Sequence, residues 1–77
     1  MSYPKEIHPR ITIDPEVRFG KPVVKGTRVD VATILNQLAA GTTHDEIIQE
    51  YGVTEADIRA VLGYAARVFD KRRVRAR

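Results

Sequence analysis

The chain has 77 residues, no cysteine, 43% apolar residues and a formal net charge of +3. That length holds one domain and leaves little room for a multi-step enzyme with its own deep pocket, and without cysteine no disulfide can staple it. The charge is split, with seven Lys/Arg against nine Asp/Glu in residues 1–66 and six against one in residues 67–77, so any argument for nucleic acid concerns the last eleven residues.

Only 22 residues are Val, Ile, Leu, Phe or Met. A core of that size is hard to close within one small chain, and a homodimer is expected. No apolar run reaches the roughly 18 residues of a membrane span. The opening Met1-Ser2-Tyr3-Pro4-Lys5-Glu6-Ile7 lacks the apolar stretch of a signal peptide, which makes the cytoplasm the default expectation.

Residues 1–9, with Pro4 and Pro9, read as an arm that is extended or poorly ordered. Arg10-Ile11-Thr12-Ile13 alternates polar and β-branched apolar residues, a short strand signal. Asp14-Pro15 ends it, because Pro15 has no N–H to donate and Asp14 can accept a local backbone bond. Gly20 and Gly26 mark turns around a second short strand at Val23-Val24. From Asp30 the period changes to 3.6. Val31, Ile34, Leu35, Leu38 and Ala39 share one helical face, with Asp30 as N-cap and Gly41 as the stop. Thr43-x-x-Glu46 is a capping box that opens a short second helix with Ile47, Ile48 and Tyr51 inward. Gly52 closes it. Thr54-x-x-Asp57 starts a third helix whose Ile58, Val61, Leu62, Ala65, Val68 and Phe69 lie on one face to about residue 70, and residues 71–77 form a basic tail.

The predicted architecture is mainly α: a short N-terminal β-element and a three-helix bundle of helix-turn-helix type, occupying residues 10–70 as one domain. A short helix, a glycine turn and a longer helix is the helix-turn-helix arrangement; a trihelical bundle with no nucleic-acid role is the plainer alternative. Charge weighs against insertion of the third helix into DNA. Its first turn carries Glu55 and Asp57, and only Arg59 is there to meet phosphate. Ala56, Ala60 and Gly63 line up on the side away from the apolar face, followed by Arg67. A mid-helix glycine costs about 1 kcal/mol relative to alanine, which points to close packing, either on the chain's own β-element or on a second copy.

His8 and His44 are 36 residues apart and, with no cysteine, make no metal site. Gly20-Lys21-Pro22 puts a proline where a phosphate loop needs a donating N–H. With a single serine, Ser2, and acids that read as caps, no nucleophile, base and acid set is visible, so neither an enzyme nor a cofactor is expected. The candidate nucleic-acid or partner contacts are Arg59, Arg67, Lys71, Arg72, Arg73, Arg75 and Arg77. Three readings of the tail stay open: a solvated end, phosphate contacts, or docking on an acidic protein surface.

The run Ile11-Thr12-Ile13-Asp14-Pro15 through Gly20-Lys21-Pro22-Val23-Val24-Lys25-Gly26-Thr27-Arg28-Val29 resembles the domain-of-unknown-function family 433. Ile34-Leu35, Leu38-Ala39-Ala40-Gly41, Glu46-Ile47, Tyr51 and Asp57-Ile58-x-Ala60-x-Leu62-x-Tyr64-Ala65 extend the likeness over about residues 10–66. The resemblance implies a homeodomain-like, winged-helix-like fold akin to VapB-type antitoxins. Members often sit beside a PIN-like nuclease gene, which implies the antitoxin half of a toxin–antitoxin pair, binding that nuclease and its own operator DNA. Asp14, Pro15, Gly20, Pro22, Gly26, Thr27 and Arg28 match the motif, and they read physically as turn chemistry, with Thr27 and Arg28 placed to bond the hairpin to the first helix. Gly52-Val53 departs from the family, which often carries proline there. The other reading, from the residues alone, is a dimeric protein-interaction module without nucleic acid.

Overall fold

In the computed structural model, which describes residues 2–72, Arg10 turns the chain back on itself with a left-handed φ of 69°. Its amide donates to Glu6 Oε2 at 3.1 Å. That turn makes a hairpin of β1 (Lys5–His8) and β2 (Ile11–Ile13), which pair antiparallel as Lys5 with Ile13, Glu6 with Thr12 and His8 with Ile11, the register shifting between Glu6 and His8. β3 (Val23–Val24) pairs antiparallel on the other side of β2, giving the order β1-β2-β3. The expected arm is therefore extended, but it is a strand of the sheet from Lys5 onward. Its mixed, charged side chains carry little strand signal; the backbone ladder to β2 supplies the pairing.

Three helices follow: α1 (Val31–Ala39), α2 (His44–Tyr51) and α3 (Glu55–Arg72). Each begins where its cap places it. Asp30 accepts from the Thr33 amide at 2.9 Å. Thr43 and Glu46 exchange the two bonds of a capping box, and Thr54 and Asp57 do the same at 2.9 and 3.1 Å. α1 ends in a Schellman motif: the Gly41 and Thr42 amides donate to the Leu38 and Gln37 carbonyls, with Gly41 at φ 88°. Only glycine takes that conformation without strain.

The core is one cluster of Ile11, Val24, Val31, Ile34, Ile47, Val53, Ile58 and Val61. The sheet supplies Ile11 and Val24, each helix adds one or two residues, and Val53 seals the junction between α2 and α3. Leu35 and Leu38 pack on the margin of this cluster and Ala39 is exposed, so Ile34 is the central residue of α1. The apolar face read along α3 holds at Ile58 and Val61 but opens beyond them. Leu62 is 42% exposed, Val68 38% and Phe69 74%. For Phe69 the reason is length: at about 1.5 Å per residue, the 18 residues of α3 outreach the nine of α1 and eight of α2, so neither helix reaches far enough to cover its C-terminal turns. No described helix is long and apolar enough to cross a membrane.

Candidate partner-binding site

The family-motif residues converge on the segment joining β2 to β3 and β3 to α1. Asp14 turns the chain out of β2: its Oδ1 accepts from the Glu16 amide at 2.9 Å and its carbonyl from the Val17 amide at 2.8 Å, with Pro15 between. Arg18, Phe19 and Gly20 then follow one another in left-handed backbone, at φ 50°, 58° and 81°. Gly20 donates to the Val17 carbonyl and Lys21 to that of Arg18, closing the turn. Pro22 offers its carbonyl to the Val31 amide, which joins this turn to the first residue of α1.

The Arg18 side chain completes the junction. Nε and Nη2 both donate to Asp30 Oδ2, at 3.4 and 3.2 Å, while Asp30 Oδ1 takes the Thr33 hydroxyl at 2.8 Å as well as its amide. Asp30 is buried. Burial pushes its carboxyl up, but the Thr33 hydroxyl and amide, then the Arg18 hydrogen bond and charge, outweigh this and hold it below the usual aspartate range.

On the far side of β3, Gly26 adopts φ 79° with nothing within 4 Å of where a Cβ would stand, so its requirement is conformational and not steric. Thr27 closes this turn on itself. Its hydroxyl donates to the Val24 carbonyl at 2.8 Å and accepts from the Val29 amide at 2.9 Å. The bonds stay inside the turn and do not reach α1, which is a correction to the expected role of Thr27. Arg28 is exposed and makes no ion pair with a described residue. Asp14, Gly26, Thr27 and Arg28 together edge a cavity of about 260 Å³ floored by Val17 and Val23. Four of the seven motif residues thus share one surface, with an apolar floor and both signs of charge at its rim.

The residues singled out on α3 separate. Arg67 and Lys71 border a groove of about 250 Å³ with Ile7, His8, Tyr64 and Val68, beside the sheet. Arg59 is two turns away, its side chain 77% exposed and 4.0 Å from Glu55. Arg72 is the last helical position, and Arg73, Arg75 and Arg77 lie outside the described residues. The small-residue stripe is not one open face. Ala60 packs on the core cluster, the His8 ring lies 3.4 Å from where a Gly63 Cβ would stand, and Ala56 is exposed. His8 also meets the Tyr64 ring edge-on, with centroids 5.7 Å apart.

Contacts between distant residues alter the electrostatics of the α3 N-terminus. Arg10 Nη1 donates to Asp57 Oδ1 at 3.0 Å. His44 Nδ1 lies 3.0 Å from both oxygens of Glu55. The two acids that open the helix are each engaged by a basic residue from elsewhere in the chain. No sequence signal marked Arg10 for this role, because its partner is 47 positions away. Among the described residues, no group of three or more His, Cys, Asp or Glu is placed to hold a metal.

Comparison with known proteins places the sequence in a family. The family described as a protein of unknown function, DUF433, matches residues 11–65, which take in the whole motif surface and α3 as far as Ala65. The chain is 38% identical over 52 residues to a protein of Mycobacterium tuberculosis (strain ATCC 25618 / H37Rv) named "Putative antitoxin VapB45". The match takes in 68% of this chain and 22% of that relative, so the chain spans about a fifth of its length. No solved structure matches. With the family model spanning residues 11–65, more than half of the chain and every residue of the motif, the chain belongs to the DUF433 family.

Proposed function

We propose that this chain is the antitoxin of a toxin–antitoxin pair, a regulatory protein without catalysis of its own, which acts as a homodimer, binds a PIN-like nuclease and contacts duplex DNA. The observation that carries the reading is the 38% identity, over two thirds of the chain, to a relative named as an antitoxin. Helix-turn-helix geometry is supported by α2, the left-handed Gly52 at φ 70° and α3 in immediate succession. The homodimer is supported by the uncovered Leu62 and Phe69, seven residues apart on one helical face, which a two-fold related copy would bury.

In this reading DNA is met by the basic end of α3, with Arg67 and Lys71 beside the sheet and Arg72, Arg73, Arg75 and Arg77 following. The α3 N-terminus, whose acids hold Arg10 and Arg59, contributes little. The test is coexpression with the product of the adjacent gene. The expected result is a stable copurifying complex in which that protein's nuclease activity is suppressed; two proteins that elute separately at micromolar concentration refute it. The interaction-module reading is favoured by the occupied Arg10–Asp57 and His44–Glu55 contacts, and it predicts the same complex with no affinity for duplex DNA.

A further inference from the structure

Phe19 is 93% exposed, more than any other large apolar residue described. It also stands in the middle of three consecutive left-handed residues, at φ 58° and ψ 32°, in a region that non-glycine residues disfavour. Among the described residues the ring has almost no packing partner, and the backbone beneath it is strained. Yet the turn is firmly held. Arg18 is pinned to the buried Asp30 by two hydrogen bonds, Gly20 and Lys21 donate back across the turn, and Asp14 and Val17 bridge its base. A strained, over-determined turn that carries a bare aromatic ring is the form of a preorganised contact, since the backbone that presents the ring is already fixed and loses little freedom on binding.

The charges around it select the kind of partner. Lys21, two residues on, and Arg28, on the cavity that Val17 floors, are exposed and make no ion pair with a described residue. They call for carboxylates opposite. A nucleic-acid wedge also uses an inserted aromatic, but it needs an unbroken basic surround. Here Asp14 and Glu16 lie on the same turn and break the basic surround. A second copy is disfavoured by symmetry. Phe19 of one chain seated in the groove beside Tyr64 and Val68 of another is a head-to-tail contact between unlike patches, which gives rings or filaments and not a two-fold dimer.

We propose that Phe19, presented by the Arg18–Gly20 turn, is the anchor by which this chain grips a different protein, one offering an apolar pocket rimmed by carboxylates that meet Lys21 and Arg28. The proposal deepens the antitoxin reading and rests on it, the partner being the protein neutralised. The probe is the product of the adjacent gene, titrated calorimetrically with the full-length wild-type chain and with the Phe19→Ala, Phe19→Tyr and Lys21→Glu variants. Phe19→Ala is expected to weaken binding about 30-fold or more, the loss typical of a central aromatic anchor, without lowering the melting temperature. Phe19→Tyr should bind within about threefold of wild type, since the ring is retained. Lys21→Glu should weaken binding about tenfold at low salt and less at high salt. A Phe19→Ala variant that binds as tightly as wild type overturns the anchor while leaving the antitoxin reading intact; a wild-type chain that does not bind the probe overturns both. Phe19→Ala is also measured against duplex DNA and against phosphatidylcholine–phosphatidylserine vesicles, and its sedimentation is compared with wild type. A loss confined to DNA or vesicles, or wild-type chains of growing length that the variant abolishes, each refutes the heterologous anchor.

Discussion

Arg18 and Asp30 meet through one carboxylate oxygen, with the guanidinium Nε at 3.4 Å and Nη2 at 3.2 Å, and the other oxygen caps α1. A single buried side chain therefore holds both the motif turn and the first turn of the first helix. Asp30→Asn keeps a good capping group but removes the charge that holds Arg18. It is expected to destabilise by about 1 kcal/mol, and Asp30→Ala by about 2–3 kcal/mol once the cap is lost as well. Chemical denaturation of the two variants checks the order; equal losses would show that the cap carries the whole effect.

The same carboxyl sets an acid limit. Its folded pKa lies below the ordinary value, so its contribution is present above about pH 4, the usual aspartate range, and is lost as pH falls through the depressed folded value. Glu6, held down by the Lys25 hydrogen bond, the Arg10 amide and the Lys25 charge, and Glu46, held down by the Thr43 amide and hydroxyl, act in the same direction. Melting temperature should be flat near neutrality and fall below about pH 4, less steeply in Asp30→Asn than in wild type.

At the β3 turn, Gly26→Val is expected to cost about 1–2 kcal/mol from left-handed strain alone, because the space around it is empty. Lys25→Ala removes only an exposed pair with Glu6 and should change stability by less than about 0.5 kcal/mol. Matching melts for the two variants would mean that the turn rearranges at no cost.

Within the core, Ile34→Ala should cost about 2–5 kcal/mol and Leu35→Ala distinctly less, because Ile34 is fully buried and Leu35 is not. Gly63→Ala is expected to stabilise by about 0.5–1 kcal/mol, since a Cβ there meets the His8 ring at ordinary contact distance and helix propensity favours alanine. A destabilised Gly63→Ala would show that the hairpin sits closer to α3 than 3.4 Å implies.

The salt dependence of DNA binding isolates the basic end. If Arg72, Arg73, Arg75 and Arg77 each neutralise one phosphate, the slope of log K against log salt is about −3.6 per chain. Deleting residues 71–77 should flatten it and weaken all sequences alike, since phosphate contacts carry no sequence information. An unchanged slope assigns the contacts to Arg59 and Arg67 instead.

Helix starts were legible because a cap is a local event: Asp30, Thr43 and Thr54 each bond an amide three residues on, within reach of a sequence pattern. The two turns at Gly41 and Gly52 are local in the same sense. Strand β1 was not legible, because what makes Lys5–His8 a strand is the backbone of β2 and not its own side chains. The exposure of Phe69 was hidden for a related reason: periodicity says which residues share a face, but not whether a neighbouring helix is long enough to cover it. At the motif, Gly26 could be read from its type and Asp14 from its place before proline. The strain at Phe19 and the reach of Arg18 to Asp30 could not, since neither residue type announces a left-handed turn.

The order β1-β2-β3 leaves two margins on a very small sheet, and each is blunted. On β3 only Val23 and Val24 are in strand conformation, and Val23 also bridges Asp30 on its outer side. On β1 the run is four residues with a bulge at its middle, bracketed by Pro4 and Pro9, which have no amide hydrogen to offer. Neither margin gives a long, flat row of free backbone groups on which foreign strands could stack. The fold is thereby protected against fibre growth and strand exchange at its sheet, and concentrated solutions should lose protein, if at all, through the uncovered end of α3 and not through cross-β association.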